Sequence, residues 1–177
     1  MCIRVSLRCY AVTGTPFITK GLTEYFRAIG RNYLLAAPTG KASKVIASKT
    51  KSAAYTIHKT IYSFDDIAEY RDDDEEGTET FKFYAQLGVN SLSADTVYIV
   101  DEASMVSDLY QEAEFFRFGT GFLLTDFFKF VNLDHNDHSK KVIFIGDDAQ
   151  LPPVGMSFSP ALDADYLFRK HHVRSTS

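Results

Sequence analysis

The sequence is short of cysteine, of long apolar runs and of any large charge excess, and each shortage removes a class of function. Cys2 and Cys9 are the only cysteines, and their spacing matches neither a metal-ligand pair nor a redox motif. A disulfide-held secreted fold is therefore not expected, and a reducing, cytoplasmic setting fits best. The apolar stretch at the amino terminus is brief and interrupted by Arg4 and Arg8, so neither a signal peptide nor a membrane span is expected. A formal charge of −4 speaks against a protein wrapped in nucleic acid over its whole surface, although it leaves room for one basic groove. No internal repeat is visible.

What is present suits a soluble globular domain. Hydrophobic residues make up 45% of the 177 positions and charged residues 24%, ordinary proportions for a folded chain. That length corresponds to one domain, residues 1–177, able to bury roughly 70% of its unfolded surface.

The chain is organised around Thr96-Val97-Tyr98-Ile99-Val100-Asp101-Glu102. Its apolar and β-branched run predicts a strand buried on both faces of a parallel sheet, ending abruptly in two carboxylates. In open α/β sheets, ligands sit at the carboxyl ends of strands, where Asp101 and Glu102 would face a nucleotide's metal and phosphates. A simpler reading makes Asp101 the N-cap of a following helix, with Glu102 in its first turn. A second strand of the same kind, Val142-Ile143-Phe144-Ile145, tips the balance by running into Gly146-Asp147-Asp148-Ala149-Gln150-Leu151-Pro152-Pro153-Val154-Gly155.

These residues carry a family resemblance. The apolar run ending Asp101-Glu102-Ala103-Ser104-Met105, the Gly146–Gly155 loop and the upstream Ala37-Pro38-Thr39-Gly40-Lys41-Ala42 resemble motifs II, III and Ia of superfamily 1 DNA helicases, RecD-like branch. The likeness runs from about Val5 to Tyr166 and covers only the first motor domain of such an enzyme. It implies an α/β fold of the RecA-like P-loop NTPase type, a parallel sheet with helices on both faces. ATP and Mg2+ are the implied cofactors and single-stranded DNA the implied partner, with a second motor domain that this sequence does not contain. Carried over residue by residue, Asp101 would hold the metal, Glu102 would orient the attacking water, and Gln150 would sense the terminal phosphate. Asp147 joins the cofactor-binding set, while Pro38, Thr39 and His58 would face the nucleic acid. The family also implies that the strand leading to Asp147 lies between the first strand and the Asp101 strand.

The phosphate loop departs from the pattern. Residues 3–10 read as a first strand, Thr13-Gly14-Thr15 as a loop, and Pro16 as the opening of a helix reaching about Ile29 and closed by Gly30. A P-loop needs Gly-x-x-x-x-Gly-Lys-Ser/Thr, and the four defining positions hold Cys9, Gly14, Thr15 and Pro16. Thr15 replaces the lysine that neutralises phosphate charge; Pro16 removes the magnesium-holding hydroxyl and a backbone donor. Hydrogen bonds to charged groups contribute about 1.5–3 kcal/mol each, so two lost anchors weaken nucleotide binding by roughly two to four orders of magnitude.

The remaining chain predicts a strand at Tyr33–Ala37, a helix from near Lys41, and a Thr56-Ile57-His58 element resembling one the family places near DNA. Tyr55, Tyr62 and Phe64 are candidates for stacking on bases, with core packing the simpler reading. Residues 65–93 read as a divergent insertion containing the acidic run Arg71-Asp72-Asp73-Asp74-Glu75-Glu76, and Thr80–Tyr84 as one arm of a hairpin. A helix is expected over residues 104–118, another over 122–133, and a third over 159–170. His135 and His138, in a polar loop, have no third fixed partner and do not make a metal site. Residues 171–177 have no pattern and are expected to fray.

Overall fold

The computed structural model describes residues 4–8, 15–73, 79–113, 116–132, 139–173 and 175–176. Its core is a parallel sheet built from β1 (Arg4–Arg8), β2 (Tyr33–Ala37), β3 (Ala54–Thr56), β6 (Val97–Val100), β8 (Lys141–Gly146) and β9 (Ser175–Thr176). These strands lie in the order β3-β2-β6-β8-β1-β9. β8 therefore sits between β1 and β6, pairing Val5 with Ile143 on one side and Ile99 with Ile143 on the other.

Strand periodicity divides the core into two layers, because alternate side chains point to opposite faces. Leu35, Ala37, Val97, Ile99, Ile143 and Ile145 pack beneath Phe26 of α1 (Thr15–Ala28) and Ile46 of α2 (Gly40–Thr50). Ala36, Tyr98, Val100, Val142 and Phe144 face the other way. There they meet α3 (Ile57–Ile61), α4 (Leu123–Val131) and α5 (Ala164–His171). Helices thus cover both faces of a parallel sheet, the expected α/β architecture.

The helix ends follow local chemistry. Thr39, Thr56 and Asp163 each accept a backbone N–H two or three residues into the helix they open, a favoured N-cap arrangement. Gly30 ends α1 with φ +65°, a conformation glycine adopts without strain.

A smaller sheet stands beside the main one. β4 (Tyr62–Asp73) pairs antiparallel with β5 (Glu79–Leu87), and β7 (Phe116–Phe118) adds parallel to β5. The expected hairpin arm is there, and the hairpin opens at Tyr62. Two expectations are corrected. The described residues of 104–118 form no α-helix: Ala103–Met105 is a single 3-10 turn, and Phe116–Phe118 is drawn into the small sheet. The terminal segment is held in place: His171 bonds to Asp108, Val173 is buried, and β9 pairs with β1. The third expected helix is also shorter, since its cap is Asp163. The loop with His135 and His138 lies outside the described residues. Among the described residues, no helix is long and apolar enough to cross a membrane.

Candidate functional site

The site forms where β6 and β8 end side by side. The Asp101 N–H extends the ladder by donating to the Ala36 carbonyl at 3.0 Å. Glu102 then takes a left-handed backbone, φ 54°, uncommon for a residue with a side chain. That turn ends the strand at the two carboxylates, and the 3-10 turn that follows has Glu102, not Asp101, at its cap position. Asp101 Oδ1 instead accepts the N–H of Glu102 at 2.9 Å.

Gly146 lets the neighbouring strand come close. A Cβ there would lie 2.9 Å from the Ser104 nitrogen and 3.2 Å from that of Ala103, so a larger residue would push the two strand ends apart. Asp147 follows, 5% exposed, its Oδ1 accepting the Ala149 N–H at 2.9 Å. Gln150 closes the turn by donating its N–H to the Asp147 carbonyl at 3.2 Å, and its side chain is exposed. Leu151 and Val154, in the same loop, are 87% and 92% exposed.

The electrostatics tie the acidic residues together. Burial, followed by the charges of Asp101 and Asp147, raises the Glu102 carboxyl above its ordinary value. Burial also raises Asp101, opposed by the Thr19 hydroxyl, the Glu102 N–H and the charge of Lys49. The structure thus brings Asp101, Glu102 and Asp147 into one acidic neighbourhood. Thr39 reaches it from another side, since a cavity of about 540 Å³ is lined by Thr39, Lys41, Val45, Asp101, Glu102 and Met105. The Thr39 side chain is engaged as the cap of α2, accepting the Ala42 N–H at 3.2 Å, and Pro38 beside it is half-buried.

His58 belongs to a different place. Its ring lies 4.9 Å from that of Phe118 and 5.8 Å from that of Tyr62, and burial lowers its pKa. It borders a second cavity, about 570 Å³, with Tyr110, Phe116, Phe118 and Val154. Tyr62 is buried in the core, as the simpler reading has it, whereas Tyr55 and Phe64 are exposed. Thr13 and Gly14 lie outside the described residues; Thr15 and Pro16 open α1.

Two residues were missed by the sequence reading. Thr19, fully buried on α1, donates its hydroxyl to Asp101 Oδ2 at 2.9 Å; a threonine on a helix face shared with Ile18, Leu22 and Phe26 was the available signal. Asp108, also buried, gathers the Thr125 hydroxyl, the Tyr166 hydroxyl, Lys170 and His171. Nothing local in the sequence marks it.

A family model described as an AAA domain matches residues 5–117. The chain belongs to that family. The AAA domain is a P-loop NTPase type, which agrees with the sheet order and with carboxylates at the strand ends. Over 161 residues the chain is also 28% identical to a protein described as Uncharacterized protein R530 from Acanthamoeba polyphaga mimivirus. That alignment covers 82% of this chain and 28% of that protein, so the chain spans under a third of its relative's length.

AAA-domain proteins in general take a nucleoside triphosphate with Mg2+, and the residues here fit the two unequally. No group of three or more His, Cys, Asp or Glu among the described residues closes on a metal by itself. Mg2+ in nucleotide sites is held by one or two carboxylates, waters and phosphates, so no such cage is required. Asp101, nearly buried at the end of β6, would supply one such carboxylate. On the spacing that puts Thr15 and Pro16 at the lysine and hydroxyl positions of a P-loop, the phosphate cradle would lack both groups.

Proposed function

We propose that this AAA domain is a fragment or truncated relative of an ATP-dependent DNA helicase of superfamily 1, RecD-like branch, with weak nucleotide binding of its own. The observation supporting this reading is the meeting of Asp101, Glu102 and Asp147 where β6 and β8 end, with β8 between β1 and β6. That order brings the loop holding Gln150 beside the strand from which the phosphate loop begins.

Hydrolysis of a nucleoside triphosphate depends mainly on positioning and electrostatics. Bound Mg2+ supplies neutralisation of phosphate charge. Asp101 would hold the ion directly or through water, and Glu102 would orient and partly deprotonate the attacking water. Gln150, at the exposed turn after Asp147, would report the terminal phosphate. Thr13, Gly14, Thr15 and Pro16 would form the cradle, with the weakness noted above. Transition-state charge in the intact family is met by an arginine from a second motor domain.

A second reading, a binding module that contacts single-stranded nucleic acid without catalysis, draws on one observation. The groove at His58 is walled by Phe116, Phe118 and Tyr110, and aromatic rings are general platforms for unstacked bases.

Titration with a fluorescent ATP analogue and Mg2+ tests the first reading. The natural chain should saturate only at millimolar concentration, and the double change Thr15→Lys, Pro16→Thr should tighten binding by roughly two to four orders of magnitude. If neither protein gives a saturable signal, the nucleotide reading fails. Single-stranded DNA affinity should fall steeply with salt; an affinity indifferent to salt counts against the contacts assigned to Pro38, Thr39 and His58.

A further inference from the structure

The strands at the edges of the two sheets differ sharply in length. β3 and β9 bound the main sheet, β4 and β7 the small one. Three of these are stubs: β3 and β7 have three residues each and β9 has two. A very short edge strand gives a foreign strand little to pair with. β4, with twelve residues, lacks that protection. Its ladder with β5 is irregular between Tyr62 and Ile67, then runs unbroken from the Ile67–Ala85 pair to the Asp73–Glu79 pair. Over that run every second residue of an antiparallel strand turns its N–H and C=O away from its neighbour. Among the described residues, no strand takes up those groups on the outer side of β4. Phe64 and Ile67 are 50% and 48% exposed, so apolar contact is on offer at the same edge.

Charge selects the occupant. β4 carries Asp65, Asp66, Glu69, Asp72 and Asp73 against a single Arg71. A second copy of β4 would set like charges opposite one another, which destabilises a strand pair, and a phosphate backbone would be repelled for the same reason. A strand bearing lysine or arginine gains from the same positions. We propose that the outer edge of β4 is a docking site for a basic, extended segment of a partner protein, which adds to the three-stranded small sheet as a further strand. Main-chain hydrogen bonds along Ile67–Asp73 would hold the segment, and the acidic residues would choose it. The inference is independent of nucleotide binding, since β4 belongs to the small sheet and Asp101 to the end of β6 in the main one.

The test uses the full 177-residue chain and short capped peptides, one alternating lysine with valine and one alternating glutamate with valine. Binding is read by fluorescence anisotropy and by amide hydrogen exchange. The lysine peptide should bind saturably, more weakly as salt rises, and the glutamate peptide should not bind. Protection should appear at every second amide between Ile67 and Asp73 and leave the main sheet unchanged. A lysine peptide N-methylated throughout keeps its charge but cannot donate to a strand edge, and should lose binding. The double change Asp65→Lys, Glu69→Lys should weaken the lysine peptide by about tenfold and admit the glutamate peptide. Failure of the lysine peptide to bind the natural chain overturns the proposal. Binding that survives N-methylation, or that leaves the β4 amides unprotected, overturns strand addition and reduces the contact to charge attraction. Equal affinity in the charge-reversed chain overturns the acidic residues as selectors of the partner.

Discussion

His171 Nε2 lies 2.8 Å from Asp108 Oδ2, joining the last turn of α5 to the stretch that follows Asp101 and Glu102. Tyr166 and Lys170 reach the same oxygen at 2.8 and 3.1 Å, while Thr125 bonds to the other. The result is a buried anion shared by α4 and α5. It fastens the terminal segment to the body of the domain.

Replacing Asp108 with asparagine should lower stability by about 3 kcal/mol, because it removes the acceptor for charged donors gathered in a buried place. Denaturant unfolding measures the loss. Lys170→Ala should have a much smaller effect, since its side chain is 41% exposed and solvent screens it.

The same carboxylate predicts acid sensitivity. Burial alone would raise the Asp108 pKa, but the bonds from His171, Tyr166, Lys170 and Thr125 outweigh it and bring the value down to about 2, from an ordinary 3.8. A carboxyl depressed in the folded state contributes stability that is present above the unfolded value and lost as pH falls through the folded one. Melting temperature should therefore drop between about pH 4 and pH 2, and Asp108→Asn should flatten that part of the profile.

Glu102 behaves in the opposite sense. Burial, Asp101 and Asp147 hold its carboxyl above the ordinary 4.5, so its stability contribution is complete below that value and is lost as pH rises through the folded one. Glu102→Gln should melt higher than the natural protein at pH 7, and the two should converge in acid. Any hydrolysis regained by the repaired phosphate loop should disappear in the same variant.

Gly119 should tolerate no side chain. Its φ is +49°, and a Cβ would lie 2.2 Å from Asp126 Oδ2 and 2.7 Å from the Tyr62 ring. Asp126 is itself held by the Tyr62 hydroxyl at 2.9 Å and by Thr120. Gly119→Ala should cost about 2–3 kcal/mol, combining overpacking with backbone strain, as read by thermal or urea unfolding. Ser104→Ala provides the contrast: its buried hydroxyl has no hydrogen-bond partner among the described residues, so removal should be neutral or stabilising by about 1 kcal/mol.

β2, β6 and β8 were legible because they are short apolar runs with clear ends, and Tyr33–Ala37 is found at its expected bounds, whereas the short edge strands β3 and β9 carry no such pattern. The placement of β8 between β1 and β6 followed from the family resemblance rather than from periodicity. Residues 104–118 misled because their composition permits a helix, while the left-handed turn at Glu102 and the pairing of Phe116–Phe118 with β5 are decided by distant neighbours. The site was half legible. Adjacent acidic residues announce themselves at a strand end, whereas Thr19 and Asp101, 82 positions apart, meet only after the sheet has formed. Asp108 is harder still, since its partners Tyr166 and His171 lie 58 and 63 residues away.

The β4–β5 hairpin leaves and rejoins the body at one point, where the Gly88 N–H donates to the Ile61 carbonyl at 2.8 Å. Chain entering and leaving through a single doorway makes the far end of the hairpin interchangeable: its tip can be shortened, lengthened or swapped for a foreign loop without re-registering a strand of the main sheet.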